Sequence, residues 1–149
     1  PSIRPEETAD ENSSQLKDLA AFALEFLENE NGFMLMIEGS NIDKKSHDKR
    51  LPEMLYELNA FDLAVKTVLD WAEGREDTLV IVTADHETGG LMLLSGLSKN
   101  TLNLTAKFST SGHTSTDVPY FIFGINEKNK PQAIIDNTDI FKLCNKFIK

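Results

Sequence analysis

Residues 78–90 read TLVIVTADHETGG. Leu79, Val80, Ile81 and Val82 form a short unbroken apolar run rich in β-branched side chains, bounded by polar residues before it and a glycine pair after it. Such a run predicts a strand buried on both faces, as found inside a parallel sheet. At its carboxyl end the chemistry changes at once to Asp85 and His86, side by side. Open α/β sheets bind ligands just beyond the carboxyl ends of their strands, and an acid beside an imidazole there is placed to hold a metal ion. The plainer reading stands beside it: Asp85 caps the next turn and His86 is an ordinary loop histidine.

Two further stretches bear on that choice. In residues 33–47, FMLMIEGSNIDKKSH, a second apolar run ends in Glu38-Gly39, and Asp43 and His47 follow at a spacing of four. If Asp43 opens a helix, its carboxylate and the imidazole share one face, a turn apart. Gly112-His113-Thr114 precedes a third apolar run at 120–124. The chain has three histidines, each in a polar loop flanking such a run. With Asp43 and Asp85 they give mixed oxygen and nitrogen ligation, which suits zinc.

A chain of 149 residues with 40% hydrophobic content is enough for one domain with a real core. Residues 1–12 are polar with two prolines and read as a linker or frayed lead-in. The chain begins at Pro1 with no apolar h-region, so no signal peptide is expected in this stretch and the start reads as a cut. No apolar run is long enough to span a bilayer. The formal charge of −9 argues against a nucleic-acid surface, which needs Lys/Arg clusters. It leaves a small phosphate substrate open, because bound divalent cations invert the local field. A single cysteine, Cys144, excludes an internal disulfide and is read as a core residue.

In order, Ser13 or Ser14 caps a helix whose apolar positions Leu16, Leu19, Ala20, Phe22, Ala23, Phe26 and Leu27 recur at three and four. A strand is expected over 33–37, then a polar loop with a short helical turn. Pro52 opens a long helix to about residue 73, with Leu55, Leu58, Ala60, Phe61, Ala64, Val65, Val68, Leu69 and Ala72 as its stripe and Trp71 at the edge. Short strands or a hairpin are expected over 91–108, a third strand over 120–124 and a charged turn at 126–130. A last helix is capped from 136–139, with Ile140, Phe141, Leu143, Cys144 and Phe147 inward. This order predicts an α/β domain over 13–149, a parallel-type sheet flanked by helices. A right-handed crossover from strand 33–37 to strand 79–82 brings Glu38 and Asp85 to one sheet edge.

The ordered set Glu38-x4-Asp43-x3-His47, Thr83-Ala84-Asp85-His86 and Gly112-His113-Thr114 resembles the alkaline phosphatases. The resemblance covers nearly the whole chain and includes the phrases GFMLMIEGSNIDK and TLVIVTADHETGG. It implies the carboxy-terminal portion of the alkaline-phosphatase-like fold, a fragment of a larger catalytic domain. It also implies that Asp43, His47 and His113 bind one zinc, that Asp85 and His86 bind a second, and that Glu38 binds magnesium. Lys44 matches a position where some bacterial members carry a lysine that contacts phosphate through water; the alternative is a solvated charge beside Lys45. The implied reaction is hydrolysis of phosphate monoesters through a phosphoserine, with one cation at each oxygen of an in-line displacement. A periplasmic or secreted parent, and a homodimeric one, are compatible with the resemblance.

The sequence also departs from the family. No Asp-Ser pair occurs, so the Asp-Ser-Ala nucleophile motif is missing, and Ser40, Ser46, Ser109, Ser111 and Ser115 read as loop and capping serines. The phosphate-clamping arginine and one carboxylate shared by zinc and magnesium are also missing; Arg4, Arg50 and Arg75 match nothing. The short interval from His86 to His113 implies a reduced crown over the site. The chain alone is therefore expected to bind one zinc well and a second weakly, to hydrolyse nothing, and to self-associate through uncovered apolar surface. Other readings are a related two-metal phosphatase, phosphodiesterase or phosphomutase, and a non-catalytic zinc-binding module. The spacing of Glu38 to Asp43 favours the three-metal alkaline phosphatases.

Overall fold

The computed structural model describes residues 14–95, 105–124 and 131–148. The expected lead-in at 1–12, the turn at 126–130 and the middle of the 91–108 stretch lie outside them. The elements in order are α1 (Ser14–Leu27), α2 (Ser40–His47), α3 (Leu51–Ala72), β1 (Val80–Thr83), β2 (Glu87–Thr88), β3 (Leu91–Ser95), β4 (Thr105–Phe108), β5 (His113–Thr114), β6 (Tyr120–Phe123) and α4 (Asn137–Phe147). Among the described residues no helix is long and apolar enough to cross a membrane.

The long helix α3 is the spine. Pro52 stands in its first turn, where a missing N–H leaves no hydrogen bond unmade. Its buried residues are Leu51, Met54, Ala60 and Ala64. α1 packs on it and buries Ala20 and Leu24. Alanine at three of these positions lets the two helix backbones approach closely. At the far end Arg75 ties the pair together: its guanidinium lies 3.9 Å from the centre of the Trp71 ring and its Nη2 2.7 Å from Glu28 Oε1. Trp71 is at the edge of the helix stripe as expected, with Phe33 tilted against it at 5.8 Å.

A second packing centre joins the elements that carry the site. Leu51 and Met54 of α3 and Ala106 of β4 form a buried cluster, with Ile42 of α2, Leu55, Leu91 of β3 and Phe108 packed around it. The close approach of the chain beyond β2 to α2 depends on Gly89. Its φ is +91°, and a Cβ there would stand 2.6 Å from a Phe108 ring carbon and 3.3 Å from the Ser46 carbonyl oxygen. Any side chain would push this segment off the last turn of α2.

The sheet differs from the parallel arrangement expected. The described strands form three two-stranded ladders, β1–β6, β2–β5 and β3–β4, and all three are antiparallel. The expected hairpin within 91–108 is β3–β4, and β1 and β6 are the expected strands at 79–82 and 120–124. Among the described residues, 33–37 enter no ladder. Their burial nevertheless alternates as in an extended chain: Phe33, Leu35 and Ile37 are half-buried, whereas Met34 and Met36 are 69% and 82% exposed. An unbroken apolar run implies cover on both faces, but only one face is covered here. Phe121 and Phe123 of β6 are likewise exposed.

Two helices also depart from the expected inward faces. On α1, Leu19, Phe22 and Phe26 are exposed, with the two phenylalanine rings stacked at 5.7 Å. They form a second stripe beside the one that packs on α3. On α4 no residue is buried, Phe141 is 72% exposed and Cys144 is a half-buried free thiol. α4 owes its start to local chemistry instead: Asp136 accepts from the Thr138 N–H and Asp139 reaches back to the Asp136 N–H, a reciprocal cap that forms without tertiary packing.

Candidate metal centre

Asp43 lies inside α2 rather than opening it, and His47 follows one turn later. The i, i+4 spacing brings His47 Nε2 to 3.3 Å from Asp43 Oδ1. His47 Nδ1 donates to the Ser111 carbonyl oxygen at 2.6 Å. A carbonyl can only accept, so in neutral His47 the proton sits on Nδ1 and the lone pair on Nε2.

His113 arrives from the opposite side of the chain. β5 pairs with β2, setting Thr88 opposite His113 and Glu87 opposite Thr114. His113 Nε2 then lies 3.1 Å from His47 Nε2 and 3.6 Å from Asp43 Oδ1. The three atoms form a triangle with sides of 3.1, 3.3 and 3.6 Å. With metal bonds of about 2.0–2.1 Å, a tetrahedral zinc site needs ligand atoms about 3.3–3.4 Å apart. The triangle has the dimensions of one tetrahedral face, with the fourth vertex left for another ligand. Among the described residues, Asp43, His47 and His113 are the three-membered group that could hold a metal ion.

Asp85 and His86 stand just past the carboxyl end of β1, as their sequence position predicts. His86 Nε2 is 3.2 Å from Asp85 Oδ2, again close to a tetrahedral edge, and the His86 ring stacks on the His113 ring at 3.6 Å between centres. The second pair therefore adjoins the first group. Glu38 is exposed in the segment before α2 and stands outside the three-residue cluster, and Lys44 is exposed on α2.

Several supporting residues carry no signal in the sequence. Thr88 donates to Asp43 Oδ1 at 2.6 Å and lies 3.1 Å from His86 Nδ1. Glu87 accepts from the Thr114 hydroxyl and from the N–H groups of Gly90 at 3.1 Å and Leu91 at 3.2 Å. No hydrophobic period marks a two-residue ladder, and the one hint of it is the polar run between His86 and the glycine pair.

The Thr114 hydroxyl, with smaller help from the Leu91 and Gly90 amides, holds the Glu87 carboxyl below its ordinary range against the opposing effect of desolvation. A carboxyl lowered by folding contributes stability that is present above its unfolded pKa of about 4.3 and is lost as pH falls through the folded value. Thermal melts from pH 6 to pH 3 should show the β2–β5 region losing stability on acidification. Glu87→Gln should be less stable at pH 6 and flatter across that range; a slope equal to that of the unaltered chain would show that Glu87 contributes nothing.

Comparison with known proteins follows the same lines. The alkaline phosphatase family model matches residues 4–106, more than half of the chain and ending before His113. Alkaline phosphatase 4 of Bacillus subtilis is 39% identical over 92 residues, 61% of this chain and 20% of that protein. Alkaline phosphatase H of Pseudomonas aeruginosa is 33% identical over 153 residues, 92% of this chain and 32% of that protein. A solved mutant of the TAB5 alkaline phosphatase, with magnesium bound in its M3 site, superposes with a TM-score of 0.66 at 36% identity, covering 74% of this chain and 35% of that one. The chain thus spans about a fifth to a third of these relatives. A match this wide, carrying the GFMLMIEGSNIDK and TLVIVTADHETGG stretches within it, makes this chain a member of the alkaline phosphatase family.

Proposed function

We propose that the chain supplies the carboxy-terminal, zinc-ligating part of a phosphomonoester hydrolase. The observation that carries this reading is the triangle of Asp43 Oδ1, His47 Nε2 and His113 Nε2, whose sides fit a tetrahedral face. Asp43, His47 and His113 would hold one zinc, Asp85 and His86 a second, and Glu38 a magnesium ion; the magnesium bound in the M3 site of a mutant TAB5 relative supports the presence of a magnesium site in this family. Bound cations at such a site stabilise negative charge on the attacking and leaving oxygens of an in-line phosphoryl transfer. Asp43 and Asp85 offset part of the cationic charge, and the imidazoles add neutral donors that keep the site electrophilic. Lys44, exposed on the same helix as two of the proposed ligands, would contact the phosphate through water.

The nucleophile is assigned to the part of the family domain this chain does not span. Ser46 is buried and its hydroxyl donates to the Ile42 carbonyl at 2.8 Å, while the Ser109 hydroxyl donates to the Gly90 carbonyl at 3.1 Å. Neither has a free hydroxyl beside the triangle, and no Asp-Ser pair occurs in the sequence.

Zinc titration of the metal-free chain by calorimetry, alongside an assay with p-nitrophenyl phosphate, tests the proposal. One tight site, a second weaker one and no turnover are expected. Two tight and equivalent sites, no zinc binding, or measurable turnover by the chain alone would overturn it.

A further inference from the structure

Glu87 directly follows the Asp85-His86 pair, yet it stands outside the three-residue group that could hold an ion. Successive side chains of a strand leave from opposite faces, and residues paired across a ladder share a face. In β2–β5, Thr88 is opposite His113 and Glu87 is opposite Thr114. Thr88, which touches Asp43 and His86, therefore lies on the face of the imidazoles, and Glu87 and Thr114 lie on the other. There the half-buried Glu87 carboxylate accepts from three donors. Its Oε2 takes the Thr114 hydroxyl and the Gly90 N–H at 3.1 Å, and its Oε1 takes the Leu91 N–H at 3.2 Å.

A two-residue ladder is too short to fix its own register. Isolated strand pairs are marginal in water, and a polar pair has no apolar face to choose between registers. A slip of one residue would turn His113 to the face now held by Thr114. The carboxylate opposes that slip, because it grips both strands and bonds to an ionised acceptor are roughly twice as strong as neutral ones. The rings of His86, next to Glu87, and of His113, next to Thr114, stand stacked at 3.6 Å between centres.

From this placement we infer that Glu87 is a positioning residue and not a metal ligand: from the back of the ladder it locks Thr114, and so holds His113 of the first group against His86 of the second. The inference rests on the metal reading proposed above for its consequence, although the locking itself needs no ion. Partners of this kind set the orientation of metal ligands without touching the metal.

The test uses the whole chain. Glu87→Ala removes the acceptor, Thr114→Val keeps the shape and removes the hydroxyl, and Thr114→Ser restores a hydroxyl. Arg75→Ala, which releases Trp71 and Glu28 at the far end of α3, controls for a general loss of stability. Overhauser contacts between the His86 and His113 ring protons of the metal-free chain read the locking. The unaltered chain, Thr114→Ser and Arg75→Ala should show them, and Glu87→Ala and Thr114→Val should lose them. Calorimetric titration should then show the tighter zinc site about 10–100-fold weaker in Glu87→Ala and Thr114→Val, with recovery in Thr114→Ser. If Glu87→Ala loses its far-ultraviolet circular dichroism, the Thr114 pair decides the same question.

Ring contacts absent from the unaltered chain, or unchanged by Thr114→Val, overturn the inference. So does loss of the weaker zinc site in Glu87→Ala alone, with Thr114→Val unaffected, which would make Glu87 a ligand. Equal zinc affinity of all variants overturns the positioning role while leaving the metal reading intact. Ring contacts that respond as expected in a chain that binds no zinc support the locking by Glu87, and the metal reading alone falls.

Discussion

Replacing Asp43 with alanine should abolish tight zinc binding by this chain, weakening the principal site by more than about 100-fold, since even loss of an outer-shell partner typically weakens metal binding about 10–100-fold. Asp43 is the anionic corner of the triangle, 3.3 Å from His47 Nε2 and 3.6 Å from His113 Nε2. Without it two neutral imidazoles remain, one short of the three protein ligands usual in a catalytic zinc site. Thr88 would also lose the acceptor that orients its hydroxyl. The fold should tolerate the change. The Asp43 side chain is 39% exposed, it lies within α2 away from the buried cluster, and alanine is the better helix former. Calorimetry with zinc, paired with a far-ultraviolet circular dichroism spectrum and a metal-free melt, separates loss of the ligand from loss of structure. Affinity within tenfold of the unaltered chain, with the spectrum unchanged, would remove Asp43 from the site.

Residues that announce themselves through local spacing are readable from the sequence alone. The stripe of α3 between Pro52 and Gly74 is local, and so is the turn that sets Asp43 beside His47. The position of Asp85 and His86 at the end of β1 follows from a composition change within a few residues. What joins His113 to the group is not local. It depends on a two-residue ladder between segments 25 residues apart, Thr88 opposite His113, and so short a pairing leaves no period in the sequence. Its polar loop beside an apolar run and the resemblance to a known family both point to His113; only the fold shows the 3.1 Å separation from His47.

The expected parallel sheet depended on a different nonlocal fact, the identity of a strand's neighbour. The apolar run at 33–37 is legible, and its extended form is visible in the burial of Phe33, Leu35 and Ile37, but the run does not say which strand lies alongside. The same limit applies to α1 and α4. Apolar spacing marks every face able to be buried, and Phe22, Phe26 and Phe141 show that an apolar face can remain uncovered. The contact of Thr88 with Asp43 was hidden for a third reason, since a hydroxyl's partners depend on which acceptors the fold brings within reach.

Gly124→Ala should unfold or severely loosen the β1–β6 pair, although Gly124 touches no proposed ligand. Its φ is +80°, and a Cβ built there would lie 1.9 Å from the Thr78 carbonyl oxygen and 3.0 Å from the Thr78 carbonyl carbon. Both obstacles are main chain, so no rotamer can move aside; the strand end itself must shift. The neighbouring pair is Val80 opposite Phe123, and a shift there disturbs the register on which β1 holds Asp85 and His86 at its far end. Gly32→Ala is the control, because Gly32 has nearly the same φ, +75°, with nothing within 4 Å of its Cβ position. The control should lose roughly 1 kcal/mol, the cost of placing a side chain in the left-handed region. Gly124→Ala adds an overpacking term of about 1–3 kcal/mol or more to the same backbone cost. At about 2–8 °C of melting temperature per kcal/mol, it should melt on the order of 10 °C below the unaltered chain. Zinc titration then divides the molecule: the site on α2 and β5 should lose less than the pair carried by β1. Parallel melts of the two variants decide the matter, and coincident curves would mean that the backbone at Gly124 yields without disturbing the ladder.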